Sequence, residues 1–239
     1  MSCGKLKRNV NNGCVIQVFV AVAAVSVLVF QPGCSLLVGG AAAIGTPTKS
    51  ETKVPAEYNL AEDKDKKTLI LVDQPANLNA QVNMRYLLTD ATGKLLQERV
   101  KIPAEMLIDY DKLADFRSDT PDFSLLSPEK VGESLGAGLV LSIVVQECKF
   151  PDVGQSGYVG GRLTVRAELI NVATGQRVWP AQEPGRIVNV GFESEPRGRD
   201  VAALRLSVDA ARCIVRYLYD CPINQTKVAD EITDVGWEK

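Results

Sequence analysis

Val15 to Phe30 is a run of 16 residues broken only by Gln17 and Ser26, and a water-soluble fold has almost no place for it. Coiled as a helix, the run is apolar on every side, so a soluble domain would have to enclose it completely. At about 1.5 Å of rise per residue it spans roughly 24 Å, short of a ~30 Å hydrocarbon core and a little longer than a typical signal-peptide apolar region. Lys5, Lys7 and Arg8 precede it, and no acidic residue occurs before Glu51. That charge bias holds the N-terminus in the cytoplasm. Residues 1–33 are therefore expected to form an export signal or membrane anchor.

The run ends at Gln31-Pro32-Gly33-Cys34-Ser35. Gly33-Cys34 resembles the end of a bacterial lipoprotein signal, while Gln31 and Pro32 depart from the aliphatic and small residues usual before it. The resemblance implies that Cys34 is diacylated and becomes the mature N-terminus. Each buried methylene of an acyl chain contributes about 0.8 kcal/mol, so two chains give stable anchoring. Ser35, by the same resemblance, implies sorting to the outer membrane. Two other outcomes stay open: cleavage at the small residues Ala41, Ala42 and Ala43, or retention of the helix as an uncleaved anchor.

The composition of the rest suits a folded exported domain, with 46% hydrophobic and 23% charged residues over the 239-residue chain. Loss of residues 1–33 would remove three cations from a chain whose net charge is already −2. With no basic block, nucleic acid is not expected as a partner. Of the six cysteines, Cys148, Cys213 and Cys221 lie in the domain. On one continuous helix, Cys213 and Cys221 would be about 12 Å apart, too far to bridge. If that helix ends near Asp220, a Cys148–Cys221 disulfide is the pairing left open, against the reading of all three as small buried hydrophobes.

Residues 34–67 carry Pro47, Pro55 and the charged stretch Glu62 to Lys67 without apolar periodicity, and read as a flexible tether spanning roughly 30 Å. The folded domain is expected over 68–239. Thr68 to Val72 reads as a strand buried on both faces, and Leu78 to Thr89 as a helix followed by a turn at Thr92-Gly93. Val100 to Ile108, interrupted by Pro103, reads as a strand. Ser127-Pro128-Glu129 signals a helix start, with Gly136 or Gly138 closing it. Leu139 to Val145 is a central strand. Leu163, Val165, Ala167 and Leu169 alternate with Thr164, Arg166 and Glu168, and Ala173-Thr174-Gly175 turns the chain into Gln176 to Trp179. Arg186 to Phe192 gives another strand. Val201, Leu204, Val208, Ala211, Val215 and Leu218 mark the core stripe of a final helix. The fold class is α/β (α+β): one mixed sheet packed by two or three helices, following a signal or anchor segment and a tether.

Ser127 to Ala137, followed by Leu139 to Val145, resembles a "helix, Leu-Gly-Ala, apolar strand" unit. It is found in an envelope-protein group comprising the curli-secretion lipoprotein CsgG, the N-terminal domain of TolB, and the exopolysaccharide-export lipoprotein PelC. Leu163 to Trp179 is similar to their hairpin, and the final helix falls in the same place. The resemblance implies a periplasmic α/β domain that assembles with other envelope proteins, with homo-oligomers among the expected states.

The chain has no histidine. Ser-His-Asp and Cys-His arrangements and most zinc sites are thereby excluded. Asp109, Asp111, Asp115, Asp119 and Asp122 cluster, but an EF-hand starting at Asp109 would need Gly and Glu where Ala114 and Thr120 stand. Neither a P-loop nor GxGxxG is present, and no cofactor is expected. Tyr158, in the glycine-rich segment 154–161, and Trp237 are the candidate partner contacts. The expectation is a non-enzymatic, membrane-anchored protein facing the periplasm and working by protein–protein contact. A ligand- or glycan-binding module, or an enzyme using the Asp109–Asp122 carboxylates, are the alternatives.

Overall fold

Thr68–Asp73 (β2) is the doubly buried strand that its apolar run predicts. Ile70 and Val72 enter one core, Leu69 and Leu71 the other. The computed structural model describes residues 52–75, 78, 82–154, 157–182 and 184–225, so Cys34, Trp237 and the apolar run lie outside the described residues. Among the described residues, no helix is long and apolar enough to cross a membrane.

The fold is mixed α+β. A short strand Lys53–Val54 (β1) precedes β2, and three helices follow it: Met84–Leu95 (α1), Tyr110–Asp119 (α2) and Pro128–Ser134 (α3). Then come the long strands Leu139–Lys149 (β3) and Val159–Asn171 (β4), and the shorter Gln176–Trp179 (β5) and Arg186–Glu195 (β6). Helix Arg199–Val215 (α4) and strand Cys221–Pro222 (β7) complete the described order. β2 pairs parallel with β3, and β3 antiparallel with β4. β5 and β6 share the other side of β4: β5 pairs with its C-terminal end and β6 with the rest.

Alternation along β3 and β4 divides the interior into two layers. Leu139, Leu141, Ile143, Val145, Leu163, Val165, Ala167 and Leu169 face the main core beneath α1 and α4. Val140 faces a smaller core with Leu113 of α2 and Val131 of α3. Full burial of such aliphatic side chains contributes about 1.5–3 kcal/mol each. The opposite face of β4, carrying Arg162, Thr164, Arg166 and Glu168, stays partly exposed.

Several expectations are corrected. The segment 52–67, read as part of a flexible tether, belongs to the folded unit. Lys53 and Val54 pair antiparallel with Pro222 and Cys221, Leu60 is 0% exposed in the main core, and Glu57 accepts hydrogen bonds from Trp179 Nε1 and Arg186 Nη2 at 2.9 and 2.8 Å. A lone leucine among charged residues gives no periodic signal, and only its distant partners reveal its burial.

Helix α1 starts at Met84, where Asn83 accepts from the Tyr86 N–H at 3.2 Å. It runs through Thr92-Gly93, because both residues are buried and tertiary packing outweighs the weak helix propensity of glycine. No strand forms over Val100 to Ile108. A π-helical turn at Leu96–Val100, Lys101 at φ 65° and a 3₁₀ turn at Ala104–Met106 replace it, and only Leu107 bridges to Thr68. Pro103 cannot donate to a ladder, which agrees with this break.

Ser127 precedes Pro128 at the start of α3, but its hydroxyl donates to Glu129 Oε1 at 2.5 Å and does not cap the backbone. Gly136, at φ 71°, ends that helix. The core face of α4 is also displaced from the expected stripe. Ala202, Ala203, Leu206, Ala210, Cys213 and Ile214 point inward with Ala211, Val215 and Leu218, while Leu204 is 46% exposed. The small side chains let the helix approach the sheet closely, and alanines carry too little hydropathy to advertise that face.

Candidate functional site

The long strands β3 and β4 form a hairpin whose tip projects beyond the sheet proper. Val153 N–H donates to the Tyr158 carbonyl at 3.1 Å, and Gly160 N–H to the Pro151 carbonyl at 2.8 Å. Asp152 bridges Val159. This local pairing brings Val153 and Tyr158 side by side, each 37% exposed. Gly154 and Gly157, at φ 50° and 90°, supply the left-handed backbone that the turn needs.

Behind the tip lies a concavity of about 560 Å³, lined by Lys149, Phe150, Pro151, Arg162, Phe192, Glu193 and the glycines 160 and 161. The Phe192 ring lies flat against Gly161, where a Cβ would come within 2.6 Å of its Cε1. The Arg205 guanidinium sits over the ring at 4.5 Å. Glu195, 3% exposed, anchors the same corner. It accepts from Arg197 Nε at 2.8 Å and Nη2 at 3.2 Å, with Arg205 at 3.8 Å. The hydrogen bond from Arg197 is the main reason that its carboxyl is held below the usual range. The Phe192 wall of the concavity is thus held by stacking and ion pairing, and Lys149, Arg162 and Glu193 supply its charged lining.

Tyr158, a candidate partner contact, is exposed at this tip, and Val153 is the neighbour that the sequence does not point to. Trp179 is buried at the end of β5 and serves packing. Cys34 and Trp237 lie outside the described residues. The Cys148–Cys221 disulfide left open by the sequence does not form: neither cysteine is bridged. Cys148 pairs with Leu163 in the central sheet and Cys221 with Val54 in the small one, so the two residues belong to different ladders.

Burial, with the Glu147 charge second, pushes the Cys148 thiol up to about 11. At pH 8 roughly one in a thousand of these thiols would be ionised. Iodoacetamide should therefore label Cys148 of the native protein about a hundredfold more slowly than free cysteine. Timed quenching with peptide mass spectrometry reads that rate; labelling as fast as free cysteine would contradict the burial.

The Asp109–Asp122 carboxylates are distributed, not convergent. Asp109 caps α2 by accepting from the Asp111 N–H at 3.1 Å, Asp111, Asp115 and Asp119 lie along that helix, and Asp122 precedes a 3₁₀ turn. Among the described residues, no three His, Cys, Asp or Glu side chains are placed to hold a metal ion. A second concavity, of about 340 Å³, is lined by Arg99, Arg212 and Arg216. Its cations come from separate elements, Arg99 from the turn after α1 and Arg212 and Arg216 from the end of α4, so no local sequence pattern marks it.

No family model matches the chain, and no curated protein matches it either. Among solved structures, lipoprotein GNA1162 from Neisseria meningitidis is 17% identical, covering 62% of this chain and 96% of its own, with a TM-score of 0.40. The PelC dodecamer from Paraburkholderia phytofirmans is 14% identical over 70% of this chain and 94% of its own, with a TM-score of 0.39. A lipoprotein from Caulobacter crescentus is 15% identical over 72% of this chain and 96% of its own, with a TM-score of 0.34. These are loose likenesses, and none of them assigns an activity to this chain.

Proposed function

We propose that this chain is an envelope lipoprotein, held through acylated Cys34 at the periplasmic side of the outer membrane, and that it works without catalysis by docking another envelope protein. The observation that carries the docking is the β3–β4 tip. It keeps Val153 and Tyr158 exposed together, beside a concavity whose Phe192 wall is held by Arg205 and Glu195. An aromatic side chain beside a preformed pocket is the usual anchor of a protein interface. The membrane placement rests on the basic flank, the apolar run and Gly33-Cys34-Ser35.

Two measurements test this reading. A photo-crosslinking residue at position 158 in intact cells should capture one defined envelope partner, a second copy of the chain included. The same residue at exposed position 125, in the 3₁₀ turn before α3, should not. Equal yields from both positions would remove the tip as the interface. Separately, Cys34→Ala should abolish incorporation of a fatty-acid probe, and undiminished labelling would rule out acylation at that cysteine.

A further inference from the structure

We propose that the cleft between the C-terminal end of α1 and the last turn of α4 binds an anionic headgroup carried on a short alkyl chain. Arg99, Arg212 and Arg216 line it, together with Leu95, Val215 and Tyr219. Among the described residues that line it there is no aspartate or glutamate. At about 340 Å³ the cleft falls within the range of small-molecule sites. Leu95 and Val215 supply an apolar wall, and guanidinium groups are the side chains best shaped for phosphate, sulfate or carboxylate.

A simpler account covers part of this. Arginines near the end of a helix complement its negative pole, and Arg212 and Arg216 stand near the end of α4. Both also have local partners. Arg212 lies 3.5 Å from Asp209, which Arg205 also approaches at 3.9 Å. Arg216 stacks over Tyr217 and donates to its hydroxyl at 2.7 Å.

The same pole argument reaches Arg99, in the last turn of Leu96–Val100, but local pairing does not. Arg99 comes from a different element, and among the described residues no carboxylate pairs with it. The backbone that presents it is unusual twice over. It lies within the π-helical turn Leu96–Val100, a form uncommon in helices and frequent at functional sites. The next residue but one, Lys101, is held at φ 65°, where a side chain is disfavoured. The N–H groups of Lys101 and Ile102 both end on the Leu96 carbonyl, which fixes the turn. Packing accounts for the inward side of this turn, where Leu96, Val100 and Ile102 are buried in the main core, but not for Arg99, which is left exposed at an apolar-walled cleft where an anionic ligand would give it a partner. On the rim, Tyr219 donates to Gln225 Oε1 at 2.8 Å and accepts a weak bond from the Cys221 thiol.

Octyl phosphate, kept below its micelle-forming concentration, is the probe, titrated calorimetrically into the full chain in nanodiscs. It should bind at least tenfold more tightly than octyltrimethylammonium, which carries the same chain with opposite charge, and than inorganic phosphate, which lacks the chain. Arg99→Gln, at an exposed position, should weaken it at least fivefold without moving the melting temperature, and adding Arg212→Gln should weaken it further. Equal binding of the phosphate and ammonium amphiphiles would overturn the proposal, as would undiminished binding to Arg99→Gln. Nanodiscs separate the sources of such a ligand. Weaker octyl phosphate binding in phosphatidylglycerol discs than in phosphatidylcholine discs identifies a lipid headgroup as the competitor, and equal binding identifies a soluble amphiphile; both outcomes keep the cleft as the site.

Discussion

Replacing Leu60 with alanine should destabilise the protein by about 2–5 kcal/mol, the range for truncating a fully buried leucine. For a folded unit of this size that is a fall in melting temperature of roughly 5–15 °C. Leu60 is 0% exposed and packs in the main core, although it sits in a stretch dominated by charged residues. Its N–H donates to the Leu218 carbonyl at 3.1 Å, so backbone and side chain are both committed. A flexible tether would show no such loss. Thermal unfolding of the wild type and variant, side by side, decides between the two descriptions, and an unchanged melting temperature would return residues 52–67 to the tether.

Gly132→Ala should also destabilise, by about 2 kcal/mol, although alanine is the better helix former by about 1 kcal/mol. Gly132 lies within α3, and a Cβ there would stand 2.5 Å from Val140 Cγ2 and 2.8 Å from Val172 Cγ2. Val140 is fixed on the central strand β3, and β-branched side chains have little rotamer freedom to yield. The helix would have to lift, opening the smaller core that Val131, Leu113 and Val140 share. Chemical denaturation of this variant measures the cost. A gain in stability would mean that α3 does not seat on the sheet as described.

What sequence reading recovered follows from physics that acts locally. β2 and β3 are continuous apolar runs, and β4 alternates in strict period two, so their burial was written in order along the chain. The Gly175 turn was equally legible, since its φ of 64° demands what glycine provides. Failures came where long-range packing decides. Leu204 looked like a core residue by helical spacing, but the alanine face of α4 won because it allows closer approach to the sheet. The strand expected near Val100 lost to a π turn that no propensity scale anticipates.

The candidate sites divide in the same way. Tyr158 stood out because glycines surround it, whereas Val153 became its companion only through hairpin pairing. Arg99 and Arg212 are far apart in sequence, and nothing short of the folded chain brings them to one cleft.

The row of bonds that joins residues 52–60 to residues 217–223 has a mechanical consequence. Thr52 accepts from Ile223, Val54 pairs with Cys221, Ala56 N–H donates to the Asp220 carboxylate, and Glu57 and Tyr58 both donate to the Tyr217 carbonyl. Tension arriving from the chain before Thr52 would therefore load this clasp first, and the central sheet only after it has opened. If the chain is anchored as proposed, the clasp would act as a fuse: under drag it would release its first few residues and lengthen the reach before the central sheet is loaded.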